Sequence, residues 1–348
     1  MSDDWLVILG AGFSKAFSGN MPTMADLHHE IRSEFEGDEI WESKPFLDNI
    51  DNFELLLSYL GSNQPWKSIS EDYKDKALFK KIKERLAEHI TELGWEAFFG
   101  DIPDWANNFA LLLHEKKIPV ITFNYDTILE QLLLYRRDGE WTGRFPMENL
   151  YTIPLRDITQ RDVLTPSYSN STLATFDLIK LHGSINWFYS GEDNFPGEQI
   201  YYHGLTSKEP EEKSFSTHPI LGGEYSKVLK DKQHLIIPPV MEKSQFYSNK
   251  LIKSLWEDAR TELSKADRIL SIGYSLPQTD LTTRMLVNSS SPNTEEVFVV
   301  DNDPSKEGKL RENYNKAFLD DTDINTEFVY KGNPASKAVA FLKENVNS

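Results

Sequence analysis

The chain has 348 residues, of which 39% are hydrophobic and 12% aromatic, enough to bury the core of one large domain. Its formal net charge of −18 sets 55 acidic against 37 basic residues, and such a surface repels phosphate backbones, which argues against direct, sequence-independent binding of nucleic acid. There is no cysteine, which excludes disulfides, cysteine-ligated zinc and thiol catalysis together.

The opening residues, Met1-Ser2-Asp3-Asp4-Trp5, have neither the basic start nor the apolar run of a secretion signal. No apolar run is long enough to span a bilayer, so the sequence predicts a cytoplasmic protein with no membrane partner. A first strand is predicted at Trp5-Leu6-Val7-Ile8-Leu9. Helical spacing follows: Phe53, Leu56, Leu57 and Leu60 form one apolar face, and Phe79, Ile82, Leu86, Ile90 and Leu93 form another. These stripes predict a helical subdomain inserted over 25–115. Further strands are predicted at Ile118–Phe123, Leu178–Leu181, Leu235–Ile237, Arg268–Ile272, Val297–Val300 and Glu327–Tyr330. Several are apolar on both faces, the pattern of a parallel sheet covered on both sides. Strands alternating with helices predict a doubly wound, mostly parallel α/β sheet in a single domain, 1–348. Its core falls in 116–187 and 233–332, with a loop-rich excursion at 188–232 and a closing helix in 333–348.

Five short motifs stand at predicted strand ends, where open α/β sheets place ligands. Gly10-Ala11-Gly12-Phe13-Ser14 lets the backbone approach a phosphate, or else makes a tight turn; Lys15 stands where G-x-G-x-x-G has its third glycine. Thr122-Phe123-Asn124-Tyr125-Asp126 offers two short polar side chains to a ligand or a helix cap. Lys180-Leu181-His182-Gly183-Ser184-Ile185-Asn186-Trp187 offers His182 as a general base or a structural histidine. Gly273-Tyr274-Ser275-Leu276 and Asp301-Asn302-Asp303 complete the series, with Asp301 or Asn302 suited to ribose hydroxyls; turns or caps are the alternative. His28 and His29 point to different helix faces and no other histidine pair has ligand spacing, so no metal site is expected.

In this order, the five motifs resemble the sirtuin superfamily, and most closely the sirtuin-like domains of bacterial anti-phage defence proteins. The resemblance implies a Rossmann-like sheet binding NAD. It implies that Gly10, Ala11, Gly12 and Ser14 receive the pyrophosphate and that Gly273 and Ser275 line the cleft. Asn124 would position ribose or water, His182 would act as base with Asp126 in support, and Asp301 or Asn302 would hold the adenosine ribose. Two departures stand out. The four-cysteine zinc ribbon of the protein deacylases is missing, and Met21-Pro22-Thr23-Met24-Ala25-Asp26 replaces their Pro-Asp-Phe-Arg run. The expected activity is therefore NAD hydrolysis to nicotinamide and ADP-ribose, with NAD as substrate and no metal. Deacylation, ADP-ribosyl transfer and a non-catalytic NAD- or ADP-ribose-binding module are the alternatives. The expected partners are further copies of the chain, a separate defence protein such as a ring-shaped ATPase or an Argonaute-like subunit, or both.

Overall fold

Strand β1 (Trp5–Leu9) is buried along its whole length, so it needs a neighbour on each side and a cover on each face. The computed structural model describes residues 4–134, 149–157, 174–189, 199–202, 232–238, 247 and 249–346. After β1 come α1 (Ala11–Phe17), α2 (Met24–Glu34), α3 (Glu39–Glu42), α4 (Phe53–Gly61), α5 (Ile69–Glu96) and α6 (Asp104–Lys116). Then follow β2 (Val120–Thr122), α7 (Ile128–Leu134), β3 (Arg156–Asp157), β4 (Leu178–Lys180), β5 (Gly183–Tyr189), β6 (Tyr201–Tyr202) and β7 (Gln233–Ile236). The remaining elements are α8 (Lys250–Lys265), β8 (Arg268–Ile272), α9 (Leu281–Ser290), β9 (Glu296–Asp301), α10 (Glu307–Asn315), β10 (Asp323–Val329) and α11 (Pro334–Asn345).

Six strands make one parallel sheet in the order β4-β2-β1-β8-β9-β10. Counted along the chain within that sheet, the order is 3-2-1-4-5-6, that of doubly wound dinucleotide-binding folds. The order reverses between β1 and β8, and the region beyond the carboxyl ends of the strands there is where such sheets place ligands.

The helices between β1 and β2 form by ordinary local rules. Ser68 caps α5, with a reciprocal bond from its own N–H to Glu71, and Asn52 caps α4. Phe53, Leu56, Leu57 and Leu60 are buried on α4, as are Phe79, Ile82, Leu86 and Ile90 on α5, and the two helices pack together. Leu93 is only partly buried against the same core. At the far end of the chain, Asn333 caps α11 with Pro334 in its first turn, and α11 covers β9 and β10.

A second sheet, β3-β6-β5-β7, was not expected. Leu235-Ile236-Ile237 falls here, not in the parallel sheet, and β7 runs antiparallel to β5. A short strand buried on both faces reads alike in either setting, so its apolar pattern could not separate them. Gly183 makes the turn from β4 into β5 at φ +77°, where a Cβ would lie 2.1 Å from the Leu235 carbonyl oxygen. Within the excursion expected at 188–232, residues 199–202 carry β6, while 190–198 and 203–231 lie outside the described residues. No helix among the described residues is long and apolar enough to cross a membrane.

Candidate functional site

The β1/β8 switch point is built from backbone contacts first. The Gly10 N–H donates to the Ile272 carbonyl (3.1 Å) and the Gly12 N–H to the Gly273 carbonyl (3.0 Å). A Cβ on Gly12 would stand 2.6 Å from Gly273 Cα, and Gly273 itself sits at φ +65°. The glycines of the first and fourth motifs thus let two loops touch, and their amides are engaged within the fold.

Side chains continue the construction. Asn124, just past β2, donates from Nδ2 to the Gly10 carbonyl (2.9 Å) and to Ser14 Oγ (3.0 Å). Ser14 Oγ passes the chain on to Asp126 Oδ2 (2.6 Å), and Asp126 Oδ1 accepts from the Ile128 N–H (3.1 Å). Asp126 therefore caps α7 and anchors Ser14 at once. A carbonyl can only accept, so the Gly10 contact fixes the orientation of the Asn124 amide. Both N–H groups of that amide are spent, which leaves Oδ1 as its acceptor. Asn124, Asp126 and Ser14 are all buried.

His182 follows β4 and is buried beside the same turn. Its ring meets Phe123 edge-on at 5.2 Å and stacks on Tyr125 at 6.3 Å. Phe123 stacks in turn on Tyr274 at 4.1 Å, with ring planes 13° apart. Tyr274 Oη donates to Asp280 Oδ2 (2.8 Å). Burial and the neighbouring Asp280 carboxylate push the Tyr274 phenol well above its usual range, so it stays a neutral donor.

The structure brings Gly10, Gly12, Ser14, Asn124, Asp126 and Gly273 into one bonded cluster, with His182 joined to it through the Phe123 and Tyr125 rings. Ala11 is half-buried at the start of α1. Ser275 is exposed just past Gly273. Asp301 ends β9, one strand further out, and turns Oδ1 back onto the Asp303 N–H (2.9 Å), while Asn302 beside it is exposed.

Three residues that no motif contained hold the 274–276 loop. Its consecutive carbonyls accept from Tyr314 Oη (2.7 Å), Asn313 Nδ2 (3.0 Å) and Arg284 Nη1 (3.3 Å). The last of them belongs to Leu276, whose φ of +44° is unusual for a branched side chain. Lys180 was also missed as a site residue, although a charge inside the apolar run Leu178–Leu181 was a visible sign of a buried partner. Among the described residues, no group of three His, Asp or Glu side chains could hold a metal ion.

Fold and site together define a Rossmann-like, doubly wound α/β protein with a polar cluster at its switch point. No family model matches the sequence, and no curated protein matches it. Similar solved structures include a Sir2 homologue in complex with NAD, 13% identical, covering 98% of this chain and 90% of that one, with a TM-score of 0.44. They also include Sir2Tm bound to a propionylated peptide, 15% identical, covering 99% and 94% of the two chains, with a TM-score of 0.40.

Proposed function

We propose that this chain binds NAD across the β1/β8 switch point and hydrolyses the bond between nicotinamide and ribose. The observation that carries this reading is the Asn124–Ser14–Asp126 chain of hydrogen bonds, with His182 beside it, at the carboxyl ends of β1, β2 and β4. The motif order that resembles sirtuin-like defence proteins supports it as well.

The nicotinamide of NAD already leaves as a good leaving group, so the reaction passes through an oxocarbenium-like state. The bond from the anomeric carbon to the ring nitrogen breaks, and its electron pair stays with nicotinamide. Water adds to the same carbon, and its proton passes to His182. Asn124 Oδ1 accepts from a ribose hydroxyl or from that water, with Asp126 holding Ser14 and so the Asn124 amide. Gly10, Ala11, Gly12 and Ser14 receive the pyrophosphate. Gly273 and Ser275 line the cleft. Asp301 or Asn302 holds the adenosine ribose, where an acidic partner favours NAD over its 2′-phosphorylated form. No metal takes part. In the cell this activity serves anti-phage defence and is governed by self-assembly or by docking to a separate defence protein such as a ring-shaped ATPase.

The test is to incubate purified protein with NAD and quantify nicotinamide. His182→Ala is expected to lower the rate by about a hundred- to ten-thousand-fold while the protein stays folded. Wild-type turnover by that variant sinks the assignment. Nicotinamide that appears only with an acylated peptide favours deacylation, label transferred to protein favours ADP-ribosyl transfer, and binding without cleavage favours a non-catalytic module.

A further inference from the structure

We infer that the buried pair Lys180–Glu130 is a positioning device that sets the Asn124–Asp126 turn from beneath. Lys180 ends β4 and Glu130 lies in the first turn of α7; both are buried, with Nζ and Oε1 2.8 Å apart. Removing two charges from water is costly, and an apolar pair of similar volume would join a strand to a helix as well or better. What an apolar pair cannot do is donate a hydrogen bond. Lys180 Nζ makes a second bond, to the main-chain oxygen of Asp126. That carbonyl belongs to the turn whose side chains are Asn124 and Asp126.

The neighbouring residues of the same motif act in the same direction. The preceding carbonyl, Tyr125 O, accepts from the Ile185 N–H (2.9 Å) and from Ser184 Oγ (3.3 Å). Tyr125 Oη reaches the Ile237 carbonyl (2.7 Å). Glu130 is tied in turn: its Oε1 accepts from Tyr151 Oη (3.1 Å), which accepts from Asn186 Nδ2 (3.3 Å). Burial and the nearby Glu130 carboxylate hold the Tyr151 phenol protonated, so it remains a donor. The segment Lys180–Asn186 thus does more than present His182. It grips two consecutive carbonyls of the turn opposite, with Lys180 as the charged member of the grip. A displacement of that turn would carry Asn124 away from Gly10 and Ser14.

The inference rests on the proposed reaction only for its activity readout. Lys180→Met alone leaves a buried carboxylate unpaired and is expected to lower the melting temperature. Lys180→Met with Glu130→Gln removes both charges, keeps an acceptor for Tyr151, and is expected to melt close to wild type. In that double variant, amide exchange at Asn124 and Ile128 should quicken, because their N–H groups are held by Thr122 Oγ1 and Asp126 Oδ1 within the turn. The kcat for NAD cleavage should fall by about ten- to a hundred-fold with KM changed far less, the mark of lost alignment rather than lost binding. A double variant with wild-type exchange at 124–128, or with wild-type kcat, overturns the inference. Should the double variant not fold, Lys180→Met, which takes the donor from the Asp126 carbonyl, decides in its place: exchange quickened at 124–128 beyond that along β1 and β8 supports the grip, and exchange there no faster than along those strands overturns it. Failure of the wild-type protein to release nicotinamide counts against the proposed reaction, and the exchange experiment then decides the positioning role alone.

Discussion

Ser14 Oγ lies 2.6 Å from Asp126 Oδ2, across 112 positions of sequence, and takes a hydrogen bond from Asn124 in the same place. The three side chains are buried and share one chain of bonds, so they should not behave independently. Ser14→Ala is expected to cost about 1–3 kcal/mol, since it leaves a buried carboxylate oxygen without its donor. Asp126→Asn, which keeps the Ile128 cap acceptor, should cost a similar amount. Urea unfolding of both single variants and the double variant forms the check. A coupling below about 0.5 kcal/mol would show that the contact does not bind the two loops energetically.

The contact between Gly12 and Gly273 sets a second expectation. At Gly273 a Cβ would lie 2.3 Å from Gly12 C on a left-handed backbone. Gly273→Ala should therefore destabilise by more than about 1 kcal/mol. Gly19, with open space where its Cβ would go, is the control: Gly19→Ala should stay within about 0.5 kcal/mol of wild type. Equal melting temperatures for the two variants would remove the steric account of the fourth motif.

His234 makes stability depend on pH. Its Nδ1–H donates to the Ile185 carbonyl (2.6 Å) and its ring lies 4.8 Å from that of Phe188. Burial, despite that bond, brings its pKa from 6.5 down to about 4, with the Lys83 charge acting the same way. The unfolded chain therefore takes up a proton between about pH 6.5 and 4 that the folded chain refuses, so this contribution is complete above pH 6.5 and drains away as pH falls. The loss is at most about 3 kcal/mol, less where the ring edge meets water. Unfolding free energies of wild type and His234→Asn at pH 7.5 and about pH 4 should differ in slope by that amount. Parallel pH profiles would remove the assignment.

The proposed dependence on assembly has its own check. Trp66, just before α5, and Ile69 and Tyr73 in its first turns are each more than two-thirds exposed. Large apolar side chains exposed close together in sequence are candidates for an interaction surface. Light scattering and nicotinamide release, followed over the same dilution series, are expected to fall together, and replacing Trp66 and Ile69 by serine should lower both. Full turnover by a strict monomer ends that part of the proposal.

How much of this was legible in the sequence varies with the range of the interaction. The parallel strands announced themselves through runs such as Trp5–Leu9 and Arg268–Ile272, because burial on both faces leaves a local apolar signature. The motifs fall at strand ends as read: Gly10 after β1, Asn124 after β2, His182 after β4, Gly273 after β8 and Asp301 at the end of β9. The second sheet was not legible, because Leu235–Ile237 is equally apolar whichever way its partner runs. Nor was the grip of Arg284, Asn313 and Tyr314 on the 274–276 loop, since an ordinary helical residue bonding a distant carbonyl leaves no pattern around itself. Tyr274 stood inside a motif, yet its stacking on Phe123 depends on a residue far away in the chain.

The contact of Gly12 with Gly273 has a consequence for how the protein is made. The Gly12 loop is synthesised well before the Gly273 loop it leans on, and Tyr314, which holds that loop, comes later still. A chain emerging from the ribosome carries Asn124 and His182 well before Tyr274, on which Phe123 stacks, has been made. On the proposed reading, the nascent polypeptide cannot consume the NAD of the cell that is translating it, and a fragment cut off before residue 273 is equally harmless.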